Sequence, residues 1–208
     1  MSESEWPEPA YSIRTNRLFV RCFERADVRS VHTAILANVD ALRPWMPWIE
    51  HEPLTYAQRA ALLRSFRASF DFGDNFVYGI FDRADGRYLG GAGLHPRISS
   101  RGLEIGYWIV HDRWGEGLAT EVAGALTRVA IDRMEADRVE IRVSPRNARS
   151  LRVPHKLGYE EEGTLRGVGS HRDGLRDDLV VFGMLPHDFP SSPAAEVSIQ
   201  LEGFGNDA

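Results

Sequence analysis

Two glycines separated by one residue, Gly115 and Gly117, stand directly before a segment with the spacing of an amphipathic helix. The first N–H groups of a helix have no intrahelical partner and the helix dipole adds partial positive charge there, so this end binds anions. Without a Cβ at these two positions a phosphate can approach the backbone, and the small Ala119 and Thr120 continue that approach. Glycine weakens a helix by about 1 kcal/mol, so the pair favours a phosphate-binding turn, although glycine that only supplies a positive φ fits the same pattern.

Several other kinds of chemistry are excluded by the residues at the required positions. A dinucleotide-binding GxGxxG fingerprint needs glycine at position 120, where the chain has Thr120, and no GKS or GKT is present. Cys22 is the only cysteine, so neither an internal disulfide nor a thiolate metal site can form, and we expect it to be a small buried residue. The seven histidines show no HExxH or other close ligand pair, so no metal is expected.

Length, composition and charge favour a single globular domain. The 208 residues can bury a core, and we place one domain at residues 11–190, with flexible ends at 1–10 and 191–208 where polar residues, Pro, Ser and Gly accumulate. The net charge of −5 comes without a basic stripe, which argues against nucleic acid as a partner. The sequence has no apolar run long enough for a membrane helix and no signal-peptide pattern, so we expect a cytoplasmic protein that binds no membrane.

Hydrophobic periodicity predicts a mixed α/β chain. Residues 103–110 alternate between apolar side chains and the set Glu104, Gly106 and Trp108, which is typical of a strand with one apolar and one varied face. After the glycine turn, apolar residues recur from Leu118 onward at the offsets of a helix that faces a core. The other predicted elements are a strand from Arg17, helices over 26–39 and 55–70 separated by a proline-containing segment at 42–48, a hairpin over 76–94, a strand from Arg138, a short helix capped by Asn147, and a buried strand from Asp178.

Six segments carry a family resemblance, in this order: TNRLFVRCFERAD, LRPWMPW, GGAGLH, EIGYWIVHDRWGEGLATE, RVEIRVSPRNARSLRVPHKLGY and DGLRDDLVVFGML. Together they closely resemble the GNAT superfamily of N-acetyltransferases, in the branch of ribosomal-protein N-terminal acetyltransferases of the RimJ/RimL type. The resemblance implies the α/β acyl-CoA N-acyltransferase (GNAT) fold, a central mixed, mostly antiparallel sheet flanked by helices, with a splayed parallel strand pair that forms the cofactor cleft. It also implies a bulge in the strand that ends in YWIV.

The same resemblance implies acetyl-coenzyme A (acetyl-CoA) as the acyl donor. The glycine turn would wrap its pyrophosphate, its pantetheine arm would extend the sheet inside the splay, and a strand N–H near Ile109 or Val110 would polarise the thioester carbonyl. Asp112 stands where the family often has Gln or Arg, which leaves Arg113 as the nearer cation. The residues expected at the cofactor are Ile109, Val110, Arg113, Gly115, Glu116, Gly117, Leu118, Ala119, Thr120, Asn147 and Ser150.

Two residues, Ser150 and Glu104, are expected to assist catalysis. Members of the superfamily often protonate the departing thiolate with a tyrosine two residues before the lysine of KLGY, and this chain has Pro154 there. The resemblance implies that Ser150 points at the cofactor sulfur. Because Pro154 cannot act as an acid, we expect Ser150 to assist thiolate departure, directly or through water; Pro154 also removes the helix N–H that would bond the Ser150 carbonyl. Glu104 is expected to accept the amine proton through water, although a solvated surface carboxylate fits the same pattern, and His95 and His111 are weaker candidates.

The acceptor is expected to be the α-amine of a protein or peptide N-terminus. An α-amine with a pKa of about 8 is partly neutral at pH 7, whereas a lysine at about 10.4 needs a stronger base. Trp45 and Trp48 are expected to line its slot with Glu50 and Glu52 attracting its charge, unless the tryptophans simply pack. Two alternatives stay open, namely the same fold acetylating a small-molecule amine such as a metabolite or antibiotic, and a non-catalytic acyl-CoA-binding module. A homodimer is compatible with the family resemblance.

Overall fold

The computed structural model describes residues 6–169 and 176–202. Within them, nine strands form one sheet in the order β7-β8-β6-β5-β4-β3-β2-β1-β9. The strands are β1 (Ser12–Arg14), β2 (Leu18–Cys22), β3 (Phe76–Asp82), β4 (Tyr88–Ser99), β5 (Gly102–Ile109), β6 (Arg138–Val143), β7 (Glu160–Leu165), β8 (Leu179–Met184) and β9 (Gln200–Glu202). Every neighbouring pair is antiparallel except β5 and β6, which are parallel.

Four α-helices connect these strands. They are α1 (Val28–Leu42) and α2 (Tyr56–Phe72) between β2 and β3, α3 (Leu118–Arg128) between β5 and β6, and α4 (Ala148–Leu157) between β6 and β7. The proline-containing segment between α1 and α2 is not α-helical, as predicted, and forms a short 3₁₀ turn at Pro47–His51. No helix in the described part of the chain combines the length and the hydrophobicity that crossing a membrane requires.

Hydrophobic side chains cover both faces of the sheet. On one face, Ile105 and Ile109 of β5 lie in the main core with Val122 of α3. On the other, Val31 and Ile35 of α1 belong to a second cluster. The alternation predicted for β5 is confirmed, because Leu103, Ile105, Tyr107 and Ile109 share the face that α3 covers, while Glu104, Gly106 and Trp108 lie on the opposite face.

The ends of the chain differ from the expectation of flexibility. Trp6 and Ala10 are buried in the main core, and residues 200–202 form β9, which pairs with β1 at the edge of the sheet. Val197 lies against Gly124 of α3, where a Cβ would come within 2.7 Å of the valine side chain. The expectation was wrong for residues 6–10 and 191–202, because burial of a few apolar side chains and the pairing of β9 hold these mostly polar segments against the domain. Residues 1–5 and 203–208 lie outside the described residues.

The bulge expected in β5 is also absent. Each residue of β5 from Leu103 to Ile109 pairs with one residue of β4, from Pro96 back to Gly90, so no extra residue is inserted. The register shift between β4 and β5 lies at the opposite end, between Pro96 and Ser99. The splay of β5 from β6 therefore arises without a bulge.

Candidate active site

The glycine turn links the end of β5 to α3. Gly115 and Gly117 have φ values of +88° and +81°, and Gly117 is the N-cap residue of α3. Residues with a Cβ rarely adopt this conformation, so the geometry of the turn by itself requires glycine at both positions. A Cβ on Gly115 would meet no atom within 4 Å, and one on Gly117 would meet only Nη2 of Arg17, at 3.6 Å. The turn is therefore open to a ligand as well.

The first turn of α3 presents free backbone donors at this opening. Its first helical hydrogen bond runs from the Glu121 N–H to the Gly117 carbonyl, at 3.0 Å. The N–H groups of Leu118, Ala119 and Thr120 come before that bond and have no intrahelical acceptor. The Leu118 side chain is buried in the main core, so this residue can offer a ligand only its backbone.

Two arginines flank the glycine turn, and only one of them was expected. Arg113 Nε donates to the Glu116 carboxylate at 2.8 and 2.9 Å and its Nη1 donates to Asp82 at 3.0 Å, so its charge is already paired. Arg17 donates to the Glu116 carbonyl at 2.9 Å and pairs with Glu121 at 2.7 Å. Sequence reasoning missed Arg17 because it lies 99 residues before the turn that it braces.

A cavity of about 380 Å³ lies beside the first turn of α3. Its lining includes Gly117 and Thr120 of the turn, Lys156 of α4, and residues 196–198 of the C-terminal segment. The cavity therefore brings backbone donors, a hydroxyl and an ammonium group, which bind phosphate in proteins, together with the carboxylates of Glu121 and Glu196. The segment expected to be flexible supplies part of its wall.

The parallel pair β5 and β6 separates after three residues. Only Gly102, Leu103 and Glu104 of β5 are paired with Arg138, Val139 and Glu140 of β6. β5 then continues along β4 as far as Ile109, while β6 continues along β8 as far as Val143. The expected splay is confirmed, and it leaves the facing backbone edges of both strands without each other as partners.

A hydroxyl pair bridges the splay on the side of α4. The Tyr107 hydroxyl of β5 lies 3.0 Å from Ser150 Oγ, and 3.5 Å from the Ser150 carbonyl oxygen. Asn147 caps α4 as predicted, because its side-chain oxygen accepts the Ser150 N–H at 3.1 Å. Pro154, four residues after Ser150, has no N–H, so the Ser150 carbonyl is left to the tyrosine.

Burial and the neighbouring serine act in opposite directions on Tyr107. Burial raises the pKa of Tyr107 to about 12, although its hydrogen bond with Ser150 lowers that value in part. The phenol is therefore protonated at neutral pH. Sequence reasoning placed Tyr107 only on the apolar face of β5, and its partner Ser150 lies 43 residues further along the chain.

The N–H expected to polarise the thioester carbonyl was that of Ile109 or that of Val110. The Val110 N–H donates to the Leu89 carbonyl of the β4 side at 2.8 Å, which leaves Ile109 as the candidate. Successive residues of a strand direct their backbone groups to opposite edges, so the Ile109 N–H faces away from β4. The Ile109 carbonyl, on the same edge, accepts from Nε1 of Trp114 at 2.7 Å. Trp114 and the Ile109 backbone thus mark the open end of the splay.

Glu104 is held by arginines at the last pair of the parallel ladder. Arg97 donates to both of its carboxylate oxygens, at 3.0 and 2.5 Å, and Arg142 lies 3.7 Å away. Its ladder neighbour Glu140 pairs with Arg138 at 2.7 Å and with Arg142 at 2.9 Å. The site therefore contains a compensated charge network, in which each carboxylate oxygen of Glu104 already accepts a hydrogen bond from Arg97.

His95 lies on the same face of the sheet as Glu104. Its ring fills the space left by two glycines, since a Cβ on Gly93 or Gly106 would come within 2.7 or 3.2 Å of the imidazole. Nδ1 lies 2.7 Å from the side-chain oxygen of Asn75. Burial, with a smaller contribution from the nearby Arg97, lowers the pKa of His95 to about 4, so the ring is neutral at pH 7. His111 is exposed and lies against the Trp114 ring, with ring centroids 4.6 Å apart.

The predicted aromatic slot is only partly assembled from the expected residues. Trp48 is half-buried and its ring lies 5.9 Å from that of Trp108, on the varied face of β5. Trp45 is half-buried on the segment between α1 and α2. Glu52 cannot attract a cationic substrate, because it forms an ion pair with Arg59 in which both side chains are only 2% exposed. Its expected role was therefore wrong, while Glu50 is exposed.

Residues 17–160 match the sequence profile of the Acetyltransferase (GNAT) domain family. The chain belongs to this family. This acetyltransferase is 28% identical over 171 residues to the putative ribosomal N-acetyltransferase YdaF of Bacillus subtilis, a match that covers 82% of this chain and 92% of the relative. It is 27% identical over 160 residues to the [Ribosomal protein uS5]-alanine N-acetyltransferase of Escherichia coli, covering 74% of this chain and 81% of that one.

The fold of the acetyltransferase is shared with solved structures. Mycobacterium smegmatis RimJ in complex with CoA-disulfide superimposes with a TM-score of 0.76 at 23% identity, covering 92% of this chain and 93% of that one. The predicted family, fold and N-acetyltransferase activity are confirmed, and the acceptor stays a prediction. The protein is an acetyl-CoA-dependent N-acetyltransferase.

The geometry of this acetyltransferase fits acetyl-CoA at both ends of the cleft. The first turn of α3 offers N–H groups beside an open glycine turn, and Lys156 adds a cation at the adjoining cavity. The splay offers the unpaired edge of β5, to which an extended amide-bearing chain can hydrogen-bond like an added strand. Sequence reasoning found the turn and Ser150 but missed Tyr107, Arg17 and the cavity role of Lys156.

Proposed function

We propose that this acetyltransferase transfers an acetyl group to the α-amine of a protein N-terminus, by direct attack of the amine while both substrates are bound. Two relatives, the putative ribosomal N-acetyltransferase YdaF and the ribosomal-protein-uS5-alanine N-acetyltransferase, favour a ribosomal protein as the acceptor. The single observation that carries the choice of an α-amine is the weakness of the bases at the site.

Glu104 and His95 are the two groups best placed to accept a proton on the acceptor side. Both oxygens of Glu104 accept hydrogen bonds from Arg97, and the pKa of His95 is lowered to about 4. Neither group suits the deprotonation of a lysine, whose pKa is about 10.4, at neutral pH. An α-amine with a pKa of about 8 supplies its own neutral fraction, so a weak base is sufficient.

Residues on the two sides of the splay bind different parts of acetyl-CoA. When bound, acetyl-CoA supplies an acetyl thioester with a thiol leaving group. The N–H groups of Leu118, Ala119 and Thr120 hold its phosphates, with Lys156 nearby. The Ile109 N–H donates a hydrogen bond to the carbonyl oxygen as negative charge develops there. Ser150 donates its hydroxyl hydrogen bond on the leaving-group side.

The acceptor enters on the opposite face of the sheet, where Trp48 and Trp108 lie close together. Aromatic side chains form the wall of a narrow slot and leave room for a main chain between them. The exposed Glu50 adds negative charge near the entrance, which attracts a protonated N-terminus before it loses its proton. Trp48→Ala is therefore expected to raise the KM for peptide while leaving the KM for acetyl-CoA unchanged.

Three acceptors of matched composition test this assignment. The first is a ten-residue peptide with a free N-terminal alanine, the second is the same peptide with its N-terminus blocked and one internal lysine, and the third is a panel of small primary amines. We expect acetylation of the free peptide with a kcat/KM at least 100-fold above that of the other two. kcat/KM should rise with pH up to the pKa of the peptide amine and then level off.

Other results would overturn the proposal in distinct ways. A small amine that is acetylated faster than the peptide would reassign the acceptor. Binding of acetyl-CoA without transfer to any amine would make the chain a non-catalytic acyl-CoA-binding module. If Glu104→Gln lowers kcat more than 100-fold and abolishes its pH dependence, Glu104 is the base after all, and the preference for an α-amine loses its physical reason.

A further inference from the structure

We propose that Tyr107 is a positioning residue, which donates its hydroxyl proton to Ser150 Oγ and thereby directs the Ser150 hydroxyl proton toward the leaving sulfur. This inference deepens the proposed function, because it rests on the role of Ser150 on the leaving-group side. It adds the residue that decides in which direction that hydroxyl points.

The geometry selects which partner receives the tyrosine proton. The Tyr107 hydroxyl lies 3.0 Å from Ser150 Oγ and 3.5 Å from the Ser150 carbonyl oxygen. An O–H···O hydrogen bond is favourable at 2.5–3.0 Å and weak near 3.5 Å, so the serine hydroxyl is the stronger acceptor. Once Ser150 Oγ accepts from the tyrosine, its own proton must point elsewhere.

The protonation state of Tyr107 keeps its hydroxyl proton available for this bond. Because burial raises the pKa of Tyr107 to about 12, the phenol remains a donor over the working pH range. The Ser150 position is equally fixed, since the Asn147 side chain accepts the Ser150 N–H at the start of α4. The Ser150 backbone is therefore held by Asn147 and its hydroxyl by Tyr107, at the only point where a side chain of β5 is hydrogen-bonded to α4 in the described part of the chain.

The hydroxyl pair assists the transfer of the acetyl group from the thioester to the amine. A bond forms between the amine nitrogen and the acetyl carbon, the carbon–sulfur bond breaks, and its electron pair stays on sulfur. The proton of the amine leaves to water on the acceptor side. The Ser150 proton need not be transferred, because a thiol pKa of about 8.5 makes the thiolate a stable product once one hydrogen bond supports it. Tyr107 itself neither gains nor loses a proton.

A double-mutant cycle separates positioning from a merely structural role. We expect Tyr107→Phe and Ser150→Ala each to lower kcat by about 10- to 100-fold with the KM for acetyl-CoA changed less than twofold. We expect the double variant to be no slower than Ser150→Ala alone, since Tyr107 acts only through Ser150. Tyr159→Phe is the matched control, because the Tyr159 hydroxyl is also buried and bonded to a side chain, Thr127 Oγ1 at 2.6 Å. It should keep the wild-type kcat.

A binding measurement without turnover gives a second readout. Calorimetric titration of free CoA at pH 6.5 to 9.5 should show the affinity rising by about tenfold through the thiol pKa, because the bound thiolate receives the serine hydrogen bond. Both variants should lose this rise. Acetyl-CoA has no titrating thiol and should show no rise with any of the proteins. Circular dichroism verifies that each protein is folded, and Ser150→Ala tests the same hydrogen bond if Tyr107→Phe does not fold.

The outcomes distinguish failure of this inference from failure of the proposed function. Additive losses in kcat, or an unchanged kcat in Tyr107→Phe, would show that Tyr107 does not act through Ser150. A pH dependence of CoA binding that persists in both variants would show that no hydrogen bond reaches the sulfur. Failure of the proposed acceptor leaves both measurements intact, because the binding arm needs no acceptor and the kinetic arm works with any amine that the wild type acetylates.

Discussion

Replacement of Gly117 by alanine separates the two reasons for a glycine at the start of α3. The residue has a φ of +81°, and holding an L-residue in this left-handed region costs about 1–2 kcal/mol. The new Cβ would lie 3.6 Å from Arg17 Nη2, which is an ordinary contact, so no clash adds to that strain. For a chain of this size the expected fall in Tm is about 2–8 °C.

The effect on ligand binding comes from the position of the same Cβ. A methyl group at Gly117 would stand beside the free N–H groups of the first turn of α3 and keep a phosphate from reaching them. Loss of even one such contact, about 1.4 kcal/mol, weakens binding tenfold. We therefore expect calorimetric titration to give a Kd for acetyl-CoA at least tenfold higher in Gly117→Ala than in the wild type.

Gly86 provides a matched control. It lies in the hairpin between β3 and β4 with a φ of +73°, and a Cβ there would meet nothing within 4 Å. Gly86→Ala therefore introduces similar backbone strain away from the cleft, and should lower Tm by a similar amount with an unchanged Kd. If Gly117→Ala and Gly86→Ala bind acetyl-CoA equally well, Gly117 serves the geometry of the turn alone and the phosphate assignment is refuted.

Three further predictions concern stability. Arg59→Met should lower the free energy of unfolding by about 3–5 kcal/mol in urea titrations, because it leaves Glu52 as an unpaired buried charge. Between pH 6.5 and pH 4 the wild type should lose about 3 kcal/mol of stability through His95. The unfolded state binds a proton on this histidine in that range, whereas the folded state, in which the His95 pKa is about 4, does not. His95→Gln should remove this contribution. Gly124→Ala should destabilise the fold by about 1–3 kcal/mol in thermal unfolding, since its Cβ would lie 2.7 Å from Val197 Cγ2 and 3.0 Å from Leu157 Cδ2, and Val197→Ala should rescue the part due to the valine.

Each of these predictions has its own control. Arg67→Ala breaks an exposed ion pair with Asp71 and should change stability by less than about 1 kcal/mol. If Arg59→Met destabilises the protein no more than Arg67→Ala does, burial of the Arg59–Glu52 pair is not what makes it important. A His95→Gln protein that loses as much stability in acid as the wild type would assign the acid sensitivity to other groups. For the third pair, additive effects of Gly124→Ala and Val197→Ala would mean that the C-terminal segment does not press on α3.

The parts of the fold that the sequence predicted are those with local periodicity. The stripe of α3 and the alternation of β5 are visible within a dozen residues, and the structure confirms both. Asn147 and Gly158 cap and end α4 as their types suggest, with the Gly158 φ at +79°. Such features depend on the backbone preferences of single residues, and a single sequence is enough to read them.

The parts that could not be predicted depend on contacts between distant residues. The partner of Tyr107 is on α4, Arg17 reaches a turn that follows it by 99 residues, and Glu104 is neutralised by an arginine on a neighbouring strand. For the C-terminal segment, composition indicated flexibility, while the fit of Val197 against Gly124 depends on a groove that exists only in the folded protein. Strand register and contacts between side chains of different elements depend on the tertiary structure, so the local sequence does not reveal them.

The short parallel contact between β5 and β6 makes the stability of the sheet depend on the bound acyl donor. One block of the sheet holds β7, β8 and β6, the other holds β5, β4, β3, β2, β1 and β9, and only three residue pairs join them. A ligand that hydrogen-bonds to β5 and β6 in the splay links the two blocks of the sheet. A ligand at 100 times its Kd stabilises the folded state by about 2.7 kcal/mol. The free energy of unfolding therefore rises with the concentration of acetyl-CoA.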